Sequence, residues 1–204
     1  MSRRFNISKL MHHSYEGIIH RLRTYFKFVV VRHPYDRLLS AYKDKLAGSN
    51  KMYQHSLGQR ILRMFHPYLN ESVLREGKGV TFPDFINYFI SKGKFTIDPH
   101  FSTMDDLCYP CQLQYDYIAK LESHNSDAHN IITARLSGNG LDSLTAVHNT
   151  TAGASMGKGL SQYSDVSAVD IEILTHLSYK DLNMMGYTHD KDDLRTFMST
   201  GGDG

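Results

Sequence analysis

Residues 28–46 read FVVVRHPYDRLLSAYKDKL, and this stretch decides the fold. Phe28 to Val31 is a short, β-branched run of the kind buried inside a parallel sheet. It stops at Arg32, and Pro34 then stands where a first helical turn tolerates a missing N–H. Leu38, Leu39, Tyr42 and Leu46 follow at helical spacing on one face, with charges opposite. The stretch is a strand, a tight turn and a helix. Such a junction favours an anion, because free backbone N–H groups and the helix dipole converge on it. Arg32 at the strand tip offers a planar, bidentate fork to a phosphate. Ser40 offers a hydroxyl to the same group, and Arg37 adds charge on roughly the same helical face. On an arbitrary helix the simpler reading would be two surface arginines paired with Asp36 and Asp44.

Outward from this unit, residues 17–27 read as an amphipathic helix or turn leading into the strand. Residues 51–75 carry Tyr53, Leu57, Ile61, Leu62 and Phe65 at helical spacing until Pro67 intervenes. REGKG at 75–79 is a turn, and Thr81 is the expected N-cap of a helix containing PDFINYFI. Its Phe82, Phe85, Tyr88 and Phe89 belong to the core. Residues 93–111 read as loop, 112–136 as a helix interrupted near 123–126, and 137–165 as a long surface loop. Helix returns over 166–182, and the C-terminal residues 191–204 read as a flexible tail.

The chain has 204 residues, 41% of them hydrophobic and 22% charged, enough for one domain with a substantial core. Its 23 basic and 21 acidic residues leave a formal charge of +2, too little excess for a general nucleic-acid binder. The 12 histidines would make the surface cationic near pH 6, as in an acidified secretory compartment, if their pKa values are ordinary. No stretch approaches the roughly 20 apolar residues of a membrane span, and the opening residues lack a signal-peptide core. N-x-[ST] sequons begin at Asn6, Asn70 and Asn149, which leans towards a secretory lumen.

The segment at 31–45 resembles the 3′-phosphate motif V-R-x-P-x-x-R-L-x-S-A-Y-x-x-K of Golgi carbohydrate sulfotransferases, the chondroitin/dermatan 4-O-sulfotransferase and HNK-1 sulfotransferase type. Val31, Arg32, Pro34, Arg37, Leu38, Ser40, Ala41, Tyr42 and Lys45 match it without exception. VTFPDFINYF (80–89), DPHFSTMDDLCYPCQLQYDYIAKLES (98–123), Asp127-Ala128 and YKDLNMMGY (179–187) resemble further family segments in the same order. The resemblance implies an α/β fold of three layers around a central parallel sheet, related to nucleotide kinases. It implies 3′-phosphoadenosine 5′-phosphosulfate as co-substrate, no metal, and a sugar hydroxyl of a chondroitin- or dermatan-type glycan as acceptor. Arg32 and Ser40 are carried over as ligands of the 3′-phosphate, with Arg37 as a further candidate. The implied location is the Golgi lumen, with membrane attachment only through an anchor that this chain lacks. Residues 1–190 would form the catalytic domain.

Two departures stand out. The family's 5′-phosphosulfate loop, roughly P-K-x-x-x-T-x-W, precedes the 3′ motif by several tens of residues. Only 31 residues precede Arg32 here and none resembles that loop, so the domain is expected to be incomplete at its N-terminus. A non-catalytic nucleotide- or glycan-binding module is the alternative reading. The family's H-W-x-P appears as His100-Phe101-Ser102-Thr103, where Phe101 keeps an aromatic wall for the acceptor. His100 is the candidate for proton transfer or acceptor contact; His12, His13 and His20, upstream of the motif, are weaker ones. Cys108 and Cys111 lack the other ligands of a zinc site and the context of a redox motif, and read as a structural pair, oxidised in a lumen. Glu122 and Asp127 match family positions without an evident role, and Lys43 and Lys45 offer charge to an anionic glycan.

Overall fold

The computed structural model describes residues 9–92, 98–123 and 161–187. Helix α1 (Tyr15–Thr24) is capped by Ser14, whose Oγ accepts from the Gly17 N–H at 3.2 Å. Strand β1 (Phe28–Val31) leads into helix α2 (Pro34–Tyr42), which continues as a π-helical turn over Lys43–Ala47. Helix α3 (Lys51–Tyr53) is joined by a second π-helical turn, Gln54–Gly58, to helix α4 (Gln59–Phe65). Helices α5 (Glu71–Glu76), α6 (Phe82–Lys92) and α7 (Met104–Cys108) precede strand β2 (Tyr117–Lys120). Helices α8 (Ala168–Leu177) and α9 (Tyr179–Met184) close the described chain.

The strand–turn–helix reading of residues 28–46 holds. β1 pairs in parallel with β2, Phe28 opposite Tyr117 and Val31 opposite Lys120, which is the α/β arrangement expected. Val29 and Val31 point inward onto Met104 and Met185, whereas Phe28 and Val30 are each 51% exposed on the other face. Among the described residues the sheet has two strands.

The main core lies on the other side of α2. Phe85, Ile86 and Phe89 of α6 pack with Ile61, Leu62 and Leu174, all at most 2% exposed. Aromatic rings dominate it: Phe85 meets Phe89 at 4.6 Å and Phe101 at 5.3 Å, and Phe82 meets Tyr163 edge-on at 4.8 Å. The helix expected across 112–136 is not formed over its described part. Residues 117–120 are β2 instead, because pairing with β1 gives their backbone a ladder and buries Ala119. Within the expected loop at 93–111, residues 104–108 are helical, capped by Thr103. Pro67 ends α4 as expected, and residues 71–76 then form a helix of their own. The expected helix at 166–182 divides at Ser178. The tail at 191–204, most of the loop at 137–165, and Asp127 lie outside the described residues.

Candidate functional site

The four predicted site residues meet at one place. Arg32, Arg37, Ser40 and His100 line an open cleft of about 420 Å³, together with Ala41, Asp44 and Pro99. A second hollow of about 490 Å³, on the other face of the helix between Gly48 and Gly79, contains none of them.

Arg32 is half-buried at the tip of β1, and its guanidinium makes no hydrogen bond or ion pair within the described residues. Ser40 is exposed, and its hydroxyl is likewise without a partner there. Mid-helix serines and threonines usually bond back to the preceding turn. Ser56 and Thr175 do so here, to Met52 O at 2.8 Å and Ile171 O at 2.7 Å. Among the described residues Ser40 makes no such bond, and its hydroxyl lines the cleft.

Arg37 is placed differently from Arg32. Its Nη1 donates to Ser102 O and its Nη2 to Pro99 O at 3.0 Å. Burial lowers its pKa, while Asp181 nearby opposes the shift. Arg37 therefore fastens the loop that carries His100 to the helix that carries Ser40.

His100 sits in a small network. Its backbone N–H donates to Asp98 Oδ1 at 2.8 Å and its Nδ1 lies 2.6 Å from the same oxygen. Tyr53 Oη donates to Asp98 Oδ2 at 2.7 Å and lies 3.1 Å from His100 Nδ1. Burial would raise the Asp98 carboxyl, but the hydrogen bonds from Tyr53 and His100 outweigh it and hold the group below its ordinary value. The same carboxylate pushes the Tyr53 hydroxyl up to about 12. With a proton on Nδ1 directed at Asp98, the imidazole presents Nε2 as its acceptor.

Phe101 is not the acceptor wall that the sequence led us to expect. It is 3% exposed, between Phe85 and Phe89 at 5.3 and 5.2 Å, and it anchors the loop while leaving His100 outside. Lys45 is spoken for as well, paired with Asp44 at 2.7 Å over the Tyr53 ring. His12, His13 and His20 line no part of the cleft.

The N-terminus of α2 is not an open anion site. The His33 N–H donates to Glu122 Oε1 at 2.6 Å, and the Tyr35 N–H to His33 Nδ1 at 3.3 Å. A carboxylate thus takes the His33 N–H at the turn where the expected phosphate would have met backbone donors. Burial lowers the His33 pKa, with Asp36 and Glu122 opposing, and burial raises that of Asp36, with Arg32 opposing.

Sequence reading left Glu122 without a role and did not single out Asp98, Asp181 or Tyr187. Tyr187 Oη donates to Glu122 Oε2 at 3.0 Å. Asp181, 4% exposed, accepts from the Met104 and Asp105 N–H groups at 2.7 and 2.9 Å and caps α7. All four stand in segments quoted for the family resemblance, but their partners lie up to 89 residues away. Cys108 and Cys111 are both free thiols, which corrects the expected disulfide. Among the described residues no group of three or more His, Cys, Asp and Glu side chains is arranged for a metal, and no helix is long and apolar enough to cross a membrane.

Known proteins are similar to part of this sequence. Carbohydrate sulfotransferase 8 of Mus musculus is 38% identical over 115 residues, 56% of this chain and 28% of the relative. Carbohydrate sulfotransferase 9 of Homo sapiens is 37% identical over 125 residues, 61% of this chain and 28% of the relative. Carbohydrate sulfotransferase 11 of Rattus norvegicus is 34% identical over 137 residues, 65% and 38% respectively. The matched part of the chain spans only about a third of the length of these relatives. No solved structure matches it. The sequence profile described as the sulfotransferase family matches residues 2–188, nearly the whole chain, and the protein belongs to that family.

Proposed function

We propose that this chain is the 3′-phosphate-binding and acceptor-facing part of a carbohydrate sulfotransferase, with 3′-phosphoadenosine 5′-phosphosulfate as sulfuryl donor. The observation that carries the reading is half-buried Arg32, whose guanidinium has no hydrogen bond or ion pair among the described residues, sharing a cleft with the Ser40 hydroxyl and with His100. A phosphate suits that guanidinium, because its planar fork matches phosphate oxygens bidentately. Arg32 and Ser40 hold the 3′-phosphate, and Arg37 supports them indirectly by holding the His100 loop.

In the transfer, an acceptor hydroxyl oxygen bonds to sulfur as the bond from sulfur to the bridging phosphate oxygen breaks. The electron pair leaves with the nucleotide, and the hydroxyl proton passes to His100 Nε2. Charge spreads over the equatorial oxygens, so positioned donors stabilise the transition state. Asp98 supports the resulting imidazolium. The acceptor is a glycan, in keeping with the relatives' names, and of the chondroitin or dermatan type by resemblance of motifs. By the same resemblance, the proposed site of the reaction is the Golgi lumen.

Calorimetric titration with 3′,5′-adenosine bisphosphate tests the reading, with Arg32→Ala beside the wild type. Micromolar binding that the variant loses is the expected result. A folded wild-type chain that binds no nucleotide overturns it.

A further inference from the structure

We propose that Glu122 is a positioning residue for the nucleotide site: its carboxylate fixes the turn after β1 and thereby aims Arg32. The inference rests on the reading of Arg32 as the 3′-phosphate ligand. Glu122 follows β2 by two residues, and Arg32 follows β1 by one, so the parallel register brings the two strand ends side by side. Glu122 Oε1 takes the N–H of His33, the residue immediately after Arg32, at 2.6 Å. That is a charge-assisted bond of the short, strong kind.

The other oxygen is held too. Tyr187 Oη donates to Oε2 at 3.0 Å, so the carboxylate cannot swing away without breaking a second bond. Tyr187 is itself fixed: its ring meets His33 edge-on at 5.1 Å, Lys120 lies 4.4 Å from its centroid, and its N–H donates to Leu182 O at 2.8 Å. Lys120 also donates to the neighbouring Gly186 carbonyl. Three remote segments (the β1–α2 turn, the end of β2 and the residues after α9) therefore converge on one backbone N–H beside the proposed phosphate ligand.

A negative charge next to a phosphate site is electrostatically unfavourable, which makes its presence informative. If Glu122 acted as a free charge, removing it would tighten anion binding. If it only capped α2, its loss would lower stability and leave nucleotide affinity alone once the chain is folded. A positioning role predicts neither. It depends first on an acceptor atom at the right reach, with the charge a smaller contribution.

The rank order of three variants separates these accounts. Glu122→Gln keeps an acceptor at the same reach and loses the charge; Glu122→Asp keeps the charge and withdraws the acceptor by one methylene; Glu122→Ala removes both. Titration of folded protein with 3′,5′-adenosine bisphosphate is expected to give near-wild-type affinity for the Gln variant. The Asp and Ala variants should weaken by about tenfold, the size of one lost charged hydrogen bond. In an Arg32→Lys background the Glu122→Ala penalty should shrink, because its effect runs through the lost guanidinium geometry. Wild-type affinity in the Asp variant, or tighter binding in both the Gln and Ala variants, overturns the proposal. So does an undiminished penalty in the Arg32→Lys background. Failure of the wild type to bind nucleotide is a separate outcome, and removes the site reading together with this one.

Discussion

His100 Nδ1 lies 2.6 Å from Asp98 Oδ1, and Tyr53 closes the arrangement by donating to the other carboxylate oxygen at 2.7 Å. In the proposed reading, a proton on Nδ1 directed at Asp98 leaves Nε2 to accept one from an acceptor hydroxyl. His100→Ala is expected to lower kcat by about a hundredfold or more while leaving 3′,5′-adenosine bisphosphate affinity within about threefold. Asp98→Asn should fall between the variant and wild type in kcat. Steady-state kinetics with nucleotide titration alongside reads both. Equal loss of nucleotide binding and turnover in His100→Ala would remove the proposed division of labour.

Arg37 donates to the carbonyls on either side of the His100–Phe101 pair, at Pro99 and Ser102. Arg37→Lys cannot reproduce a fork that reaches two carbonyls at once. The expected outcome is faster amide hydrogen exchange over residues 98–103 and reduced kcat. Nucleotide affinity should fall far less than in Arg32→Ala. A matching loss of affinity in the two variants would make Arg37 a direct phosphate ligand.

Asp84 closes a capping box with Thr81 at the start of α6, and it also meets His66 Nε2 at 3.0 Å. Burial would raise its pKa, but the bonds from Thr81 and His66 prevail and the carboxyl sits below its ordinary value of 3.8. Folding therefore favours the carboxylate. The stabilisation is complete above the unfolded value and is lost as pH falls through the lower folded value. Asp84→Asn should cost about 1 kcal/mol at pH 7, and the gap should close below about pH 4. Urea unfolding across pH checks it; a gap that stays constant into acid would show that charge plays no part.

Gly58 and Gly77 bring two backbones into contact. A Cβ on Gly58 would come 2.1 Å from Gly77 O, and Gly77 itself adopts φ 66° at the end of α5. Gly58→Ala should destabilise the fold by about 3 kcal/mol, as overpacking against rigid backbone does. Chemical denaturation with an unchanged m-value is the measurement. A change within experimental error would mean that the π-helical turn at Gln54–Gly58 can shift at little cost.

The local chemistry of residues 28–46 determined much of this protein. A β-branched run, an N1 proline and a helical apolar face point to a strand, turn and helix, and the structure has all three there. The order of residues along that unit put Arg32 at a strand tip and Ser40 on the helix face toward the cleft. What the order could not determine was pairing across distance. Residues 117–120 have no strand-like alternation strong enough to announce themselves, and they become β2 because β1 supplies the ladder. Phe101 reads the same whether it faces a substrate or a core, and three surrounding rings decide for the core. Arg37 and Arg32 are chemically identical, yet two loop carbonyls claim one and leave the other open to the cleft. Glu122 took its place at the His33 N–H through strand register, a contact between residues 89 apart. Hydrogen-bond partners at such separations depend on how elements pack, and packing belongs to the whole chain rather than to any segment of it.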